Sequence, residues 1–163
     1  GAHGYMPWLE QLVRGIGAGL AAHDFRGTVV YRSNYAGTPD CQNVTMPASA
    51  TEWARDYGPG GNGGVARNTK KKTAKKRLWY DWSTFDSKDL VWARVGPKVF
   101  PRFKYLDVYT PTTLRTDAHI GSVASKTKPD CLHTCVPGGP VELWTDMLGL
   151  VLRDPNYDGT RVH

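Results

Sequence analysis

The sequence predicts an α/β layered fold with a mainly parallel sheet. Its patterned segments run helix, strand, helix, strand, helix, the two strands are short and apolar or alternating, and the last helix is strongly periodic. Residues 8–22 (WLEQLVRGIGAGLAA) place apolar side chains at helical spacing, with Pro7 at the start. Gly15, Gly17 and Gly19 weaken that helix but would let it pack closely on a sheet. Residues 27–31 (GTVVY) read as a buried strand. Residues 32–64 read mostly as loop, with a short helix near 48–57. Residues 87–99 form a helix capped by Asp86 or Ser87, which Gly96 and Pro97 are expected to break or end. Residues 103–109 (FKYLDVY) alternate and read as the second strand. Residues 110–114 follow as a turn or short helix, and 121–129 as a polar loop. Residues 139–152 (GPVELWTDMLGLVL) close the chain as a helix with Pro140 in its first turn. No internal repeat is present.

A chain of 163 residues with 40% hydrophobic content is long enough to bury one core and too apolar to be wholly disordered. The net charge of +6 has a local origin. Arg67, Lys70, Lys71, Lys72, Lys75, Lys76 and Arg77 carry seven positive charges with no acid among them, and the rest of the chain is near neutral. A Gly-rich stretch, 58–64 (GPGGNGG), precedes this run, so 58–78 reads as an insertion loop. Such a run could bind nucleic acid. The preferred reading is a solvated loop, because the charge belongs to the insertion and not to the fold.

Three cysteines, Cys41, Cys131 and Cys135, leave one free or paired outside the segment. Zinc is a poor alternative, since Cys131, His133 and Cys135 alternate and no fourth ligand is evident. Asn43-Val44-Thr45 is an N-glycosylation sequon, and with the cysteines it favours a secretory compartment. No apolar run is long enough to span a membrane, so an anchor would lie outside the segment. The chain starts at Gly1 without Met and reads as part of something longer.

Chemistry concentrates at Asp130-Cys131-Leu132-His133. In a serine triad the imidazole takes the nucleophile's proton while a carboxylate holds its other nitrogen. A D-x-x-H segment on a loop can bring the two together locally. On spacing alone, a turn-capping Asp130 and a structural His133 are the preferred reading.

The surroundings change that. Residues 130–138 read DCLHTCVPG, and a helix carrying Trp144 follows. Upstream stand Arg115-Thr116-Asp117-Ala118-His119, then Tyr105-Leu106-Asp107-Val108, then Val29-Val30-Tyr31-Arg32-Ser33, and Gly1-Ala2-His3 at the start. Over nearly the whole chain these blocks resemble, in order, those of the plant and algal trichome-birefringence-like (PC-esterase) polysaccharide O-acetyltransferases. The DCxHxCxPG block is the specific one.

The resemblance implies that residues 1–163 form the C-terminal part of a three-layer α/β/α SGNH hydrolase-like domain whose N-terminal half lies outside. It implies O-acetyl transfer to, or removal from, a polysaccharide hydroxyl through an acetyl-serine. Asp130 and His133 would be two triad members, Gly1 would border the oxyanion hole, and His3 would lie in the block that carries the oxyanion Asn. Cys41 would pair with Cys131, and Cys135 with a cysteine of the N-terminal half. The implied partners are an acetyl donor and a polysaccharide acceptor, with no cofactor and no metal. The implied location is the Golgi lumen or the extracellular space.

Two departures stand out. No serine follows Gly-Asp, the family's nucleophile motif, so the segment alone should be inactive, or the protein is a non-catalytic relative that binds glycan or builds an extracellular assembly. Thr134 replaces the family's Trp. Asp117 and His119 either line the acceptor groove or hold a turn, and the turn is preferred. Arg32 and Arg115 either contact an anionic sugar or pair with Asp107 or Asp117. Trp79, Trp82 and Trp92 could form a sugar platform, with core packing preferred for at least two. His23 and His163 read as surface residues.

Overall fold

The computed structural model describes residues 6–38, 41–58, 84–121 and 130–157, except the side chain of Asp86. The elements are α1 (Pro7–Ala22), β1 (Val29–Arg32), a 3-10 turn (Cys41–Asn43), α2 (Ala50–Asp56), α3 (Phe85–Val99), β2 (Phe103–Leu106), α4 (Tyr109–Leu114), β3 (His119–Gly121), β4 (Asp130–Thr134) and α5 (Pro140–Arg153). The insertion at 58–78 lies outside the described residues beyond Gly58, as do Trp79 and Trp82. The chain groups into two compact units.

The first unit contains residues 1–34, 84–107 and 147–163. Pro7 starts α1, where its missing N–H costs nothing. Leu9, Val13 and Gly17 form the buried face, spaced by four residues. They pack on Val91, Val95, Phe100, Phe103 and Tyr105. At Gly17 a Cβ would collide with the Val99 side chain, so the glycine lets α1 and α3 approach closely. Strands β1 and β2 are parallel, with Val29 opposite Phe103 and Arg32 opposite Leu106. Trp92 stacks on Tyr31 with ring centroids 4.6 Å apart and also on Phe100, so it packs against the core.

Polar order fixes the end of this parallel pair. Asp89, with no exposed surface, accepts from the Tyr31 hydroxyl at 2.7 Å and the Asn34 side-chain amide at 2.7 Å. It also accepts from the Asn34 backbone N–H at 3.1 Å. Burial, with Asp89 beside it, pushes the Tyr31 hydroxyl pKa well up, so the phenol stays a donor. Ser33 donates to Asp107 at 3.1 Å.

The second unit contains residues 35–83 and 108–146. Its small core joins Ala36, Tyr57 and Tyr109 with Tyr35 and Trp53. Buried threonines are satisfied by indole N–H groups: Trp53 donates to Thr113 and Trp144 to Thr112, each at 2.8 Å. Helix α2 starts in a capping box, in which Ser49 and Glu52 exchange bonds with each other's backbone N–H. Strands β3 and β4 pair antiparallel.

The described strands form one parallel and one antiparallel pair, within an α/β mixture of helices and small sheets. Three expectations need correction. The second strand ends at Leu106, where its partner ends at Arg32, and α4 begins at Tyr109. Gly96 and Pro97 do not end α3, which runs to Val99 with Val99 and Phe100 held against the core. Residues 130–134 form a strand and not a loop, because β3 offers them a backbone partner.

Gly17→Ala is expected to cost about 1–3 kcal/mol of unfolding free energy through overpacking. Gly15→Ala, whose methyl meets nothing within 4 Å, is expected to add about 0.5–1 kcal/mol. Urea unfolding of the two variants checks the pair. Asp89→Ala removes the acceptor of the Tyr31 hydroxyl and of two partly buried Asn34 N–H groups and is expected to cost about 3 kcal/mol in the same assay.

Candidate functional site

Between the pairs His119–Thr134 and Gly121–Asp130, β3 spends one residue and β4 three. A bulge of this kind re-aims side chains. Here it brings Asp130 and His133 onto each other, which regular alternation over three residues would not do.

Asp130 uses both carboxylate oxygens. Oδ1 accepts the N–H groups of Leu132 at 3.1 Å and His133 at 3.0 Å. Oδ2 accepts Nδ1–H of His133 at 2.7 Å. Partial burial pushes the Asp130 pKa up, but these bonds and the nearby imidazole outweigh it and hold the carboxyl below its usual range. The carboxylate can only accept, so the proton of neutral His133 sits on Nδ1 and the free lone pair on Nε2. The His133 side chain is 69% exposed, against 30% for Asp130. Its Nε2 makes no hydrogen bond among the described residues. The arrangement can take a proton from a group presented at Nε2 and stabilise the resulting imidazolium.

The bulge is anchored from several sides. Cys131 is bridged to Cys41, 90 residues away, with a Cα–Cα distance of 5.4 Å. This is the bridge expected for these cysteines, and it denies Cys131 to any metal. Closing a loop that long restricts the unfolded chain by about 4–5 kcal/mol in the chain-entropy account. Thr38 N–H donates to the Cys131 carbonyl and Cys135 N–H to the Ala118 carbonyl, both at 2.9 Å. Cys135 is exposed, with no disulfide partner among the described residues. Gly138, at a positive φ of 91° that favours glycine, donates its N–H to Glu142 in the first turn of α5 at 2.7 Å.

His119 on β3 is half-buried. Its Nδ1 lies 3.3 Å from the His133 carbonyl and its Nε2 2.9 Å from Thr38 Oγ1. Burial lowers its pKa, against the carbonyls of His133 and Leu132 and the charges of Asp130 and Asp117, which push it up.

Arg115 and Asp117 pair with each other, at 2.9 and 3.2 Å, across the turn into β3. The guanidinium holds the Asp117 carboxyl below its usual range. Arg32 belongs to the first unit, where it donates to the Ser33 carbonyl at 2.9 Å. Gly1, His3 and His163 lie outside the described residues. Asn43 is exposed at the end of the 3-10 turn and borders a cleft of about 580 Å³ that Thr38, Glu52, Tyr57 and Thr116 also line. Sequence reading missed Thr38 and Tyr57, which carry no motif, and the capping box at Ser49, whose S-x-x-E signature stood in plain view.

In the unfolded chain His119 gains its proton near pH 6.5, and in the folded protein only at lower pH. Between those values the unfolded state binds more protons. Stability should therefore fall as pH drops through this window and be unaffected by His119 above it. Urea unfolding between pH 8 and pH 5 is expected to show a shallower loss for His119→Asn than for the wild type.

The family model PC-Esterase, described as the GDSL/SGNH-like acyl-esterase family found in Pmr5 and Cas1p, matches residues 33–150, more than two thirds of the chain. No curated protein and no solved structure matches it.

Proposed function

The chain belongs to the PC-Esterase family of GDSL/SGNH-like acyl-esterases, and from that premise we propose that it supplies the base and its orienting carboxylate for acyl transfer at a polysaccharide hydroxyl. The observation that carries this reading is the 2.7 Å bond from His133 Nδ1 to Asp130, with Nε2 turned to solvent. His133 takes the proton of a nucleophilic serine and gives it to the donor's leaving group; it then takes the proton of the accepting hydroxyl or water and returns it to the serine. Asp130 keeps the tautomer and stabilises the imidazolium. The acetyl group passes from donor to serine and then to a sugar hydroxyl or to water.

No Gly-Asp-Ser occurs in the 163 residues, so the serine of this reading lies outside them, in the N-terminal half of a three-layer α/β/α domain of the trichome-birefringence-like type. Gly1 and His3 would then stand near the oxyanion hole, and Cys135 would bridge to that half. Arg32, Arg115, Asp117 and His119 are secondary to this reading, because all four are occupied with backbone or with each other. The disulfide and the exposed sequon at Asn43 support a glycoprotein of the secretory pathway, in the Golgi lumen or outside the cell. The same missing motif favours a second reading, a non-catalytic relative that binds glycan without transferring acetyl.

In the full polypeptide that contains this chain, His133→Ala and Asp130→Asn are each expected to lower kcat for acetyl transfer or release by about 10³–10⁴-fold, with KM little changed. Unchanged kcat in both variants would remove the dyad from the mechanism. Glycan binding without turnover in the wild type would establish the second reading.

A further inference from the structure

His119 sits where neither a groove-lining nor a turn-holding role accounts for its contacts. A carbonyl oxygen can only accept, so Nδ1 of His119, 3.3 Å from the His133 carbonyl, must donate. In the neutral ring Nε2 is then an acceptor, and the hydroxyl 2.9 Å away on Thr38 must donate to it. Thr38 Oγ1 in turn accepts from the Tyr57 hydroxyl at 3.3 Å. Tyr57, 7% exposed, lies at the buried start of this series, and its own carbonyl accepts from the Tyr109 hydroxyl at 3.1 Å. All donors point one way, from Tyr57 through Thr38 and His119 to the backbone of His133.

We propose that His119 is a positioning residue for His133: by donating Nδ1–H to the His133 carbonyl, it fixes the bulge of β4 in the one conformation that places the His133 imidazole on Asp130. The role rests on reading His133 as the base, but the contact itself does not. The bulge gives β4 three residues against one, so the backbone of 131–133 lacks regular ladder partners. Asp130 Oδ1 ties down the N–H of His133, and His119 ties down its C=O. The two bonds clamp the His133 peptide groups from both sides, while the disulfide holds Cys131. A rotation of this short segment would carry the imidazole off the carboxylate. His119 touches no reacting atom and acts only through His133.

The closing experiment reads the Asp130–His133 hydrogen bond directly, by proton NMR of the bridging Nδ1–H of His133 and by nitrogen shifts of both imidazoles. Asn at 119 can present an N–H where Nδ1 stands, whereas Gln reaches only to the Nε2 end. His119→Asn is therefore expected to keep the downfield Nδ1–H signal of His133, and His119→Gln to lose it. Thr38→Val removes the hydroxyl at Nε2 but leaves the carbonyl that selects the tautomer, so His119 is expected to stay protonated on Nδ1 and the His133 signal to persist, with the protein folded. Retention of the signal in His119→Gln, or a His119 in Thr38→Val protonated on Nε2, would overturn the proposal. If His119→Gln fails to fold, the Thr38→Val nitrogen shifts decide alone. A missing signal in the wild type would instead refute the dyad on which the reading of His133 depends.

Discussion

One carboxylate organises the region around β4. Asp130 gives Oδ1 to two backbone N–H groups and Oδ2 to an imidazole. The two backbone bonds set the turn that opens the strand, and the third holds the side chain that the turn delivers. Local structure and candidate chemistry therefore depend on the same group. Three bonds to the charged form keep the carboxyl ionised where burial alone would favour the acid. A base needs an orienter that stays charged while the imidazole gains its proton, and Asp130 meets that condition.

Around this carboxylate, constraints of different kinds converge. The disulfide restricts the chain before folding, and backbone bonds from Thr38 and Cys135 position the strand afterwards. His119 adds a side-chain bond to a carbonyl that the bulge would otherwise leave without a ladder partner. The first unit shows a parallel solution with other residues. There a buried Asp89 gathers Tyr31 and Asn34 at the end of the parallel pair. In both units an acid is tolerated because donors surround it, and the donors are held because the acid needs them.

Much of this was legible in the sequence where the signal is local. The helical spacing of apolar residues such as Leu9 and Val13 gave α1, and the run 27–31 gave β1, although as a half-buried strand at Val29–Arg32 and not a buried one. The D-x-x-H spacing alone favoured a structural reading; the resemblance carried by the DCxHxCxPG block singled out Asp130 and His133, and the disulfide followed from the same resemblance. Non-local pairing was the hidden part. Strand β4 carries Asp, His and Thr and has no apolar alternation, so only its contact with β3 makes it a strand. The stop of β2 at Leu106 was equally invisible, because it is set by where β1 ends. Pro97 misled for a related reason: near the end of α3 it forfeits one hydrogen bond, and the packing of Val99 and Phe100 on the core outweighs that loss. Thr38 and Tyr57 meet His119 only in the folded chain.

The central claim is that His133 activates a serine. Covalent trapping tests it most directly: the full polypeptide is treated with a fluorophosphonate, and the modified peptide is identified by mass spectrometry. The account predicts one labelled serine, outside residues 1–163, with labelling abolished in His133→Ala. A wild-type protein that takes no label, or a serine labelled equally fast without His133, would contradict it.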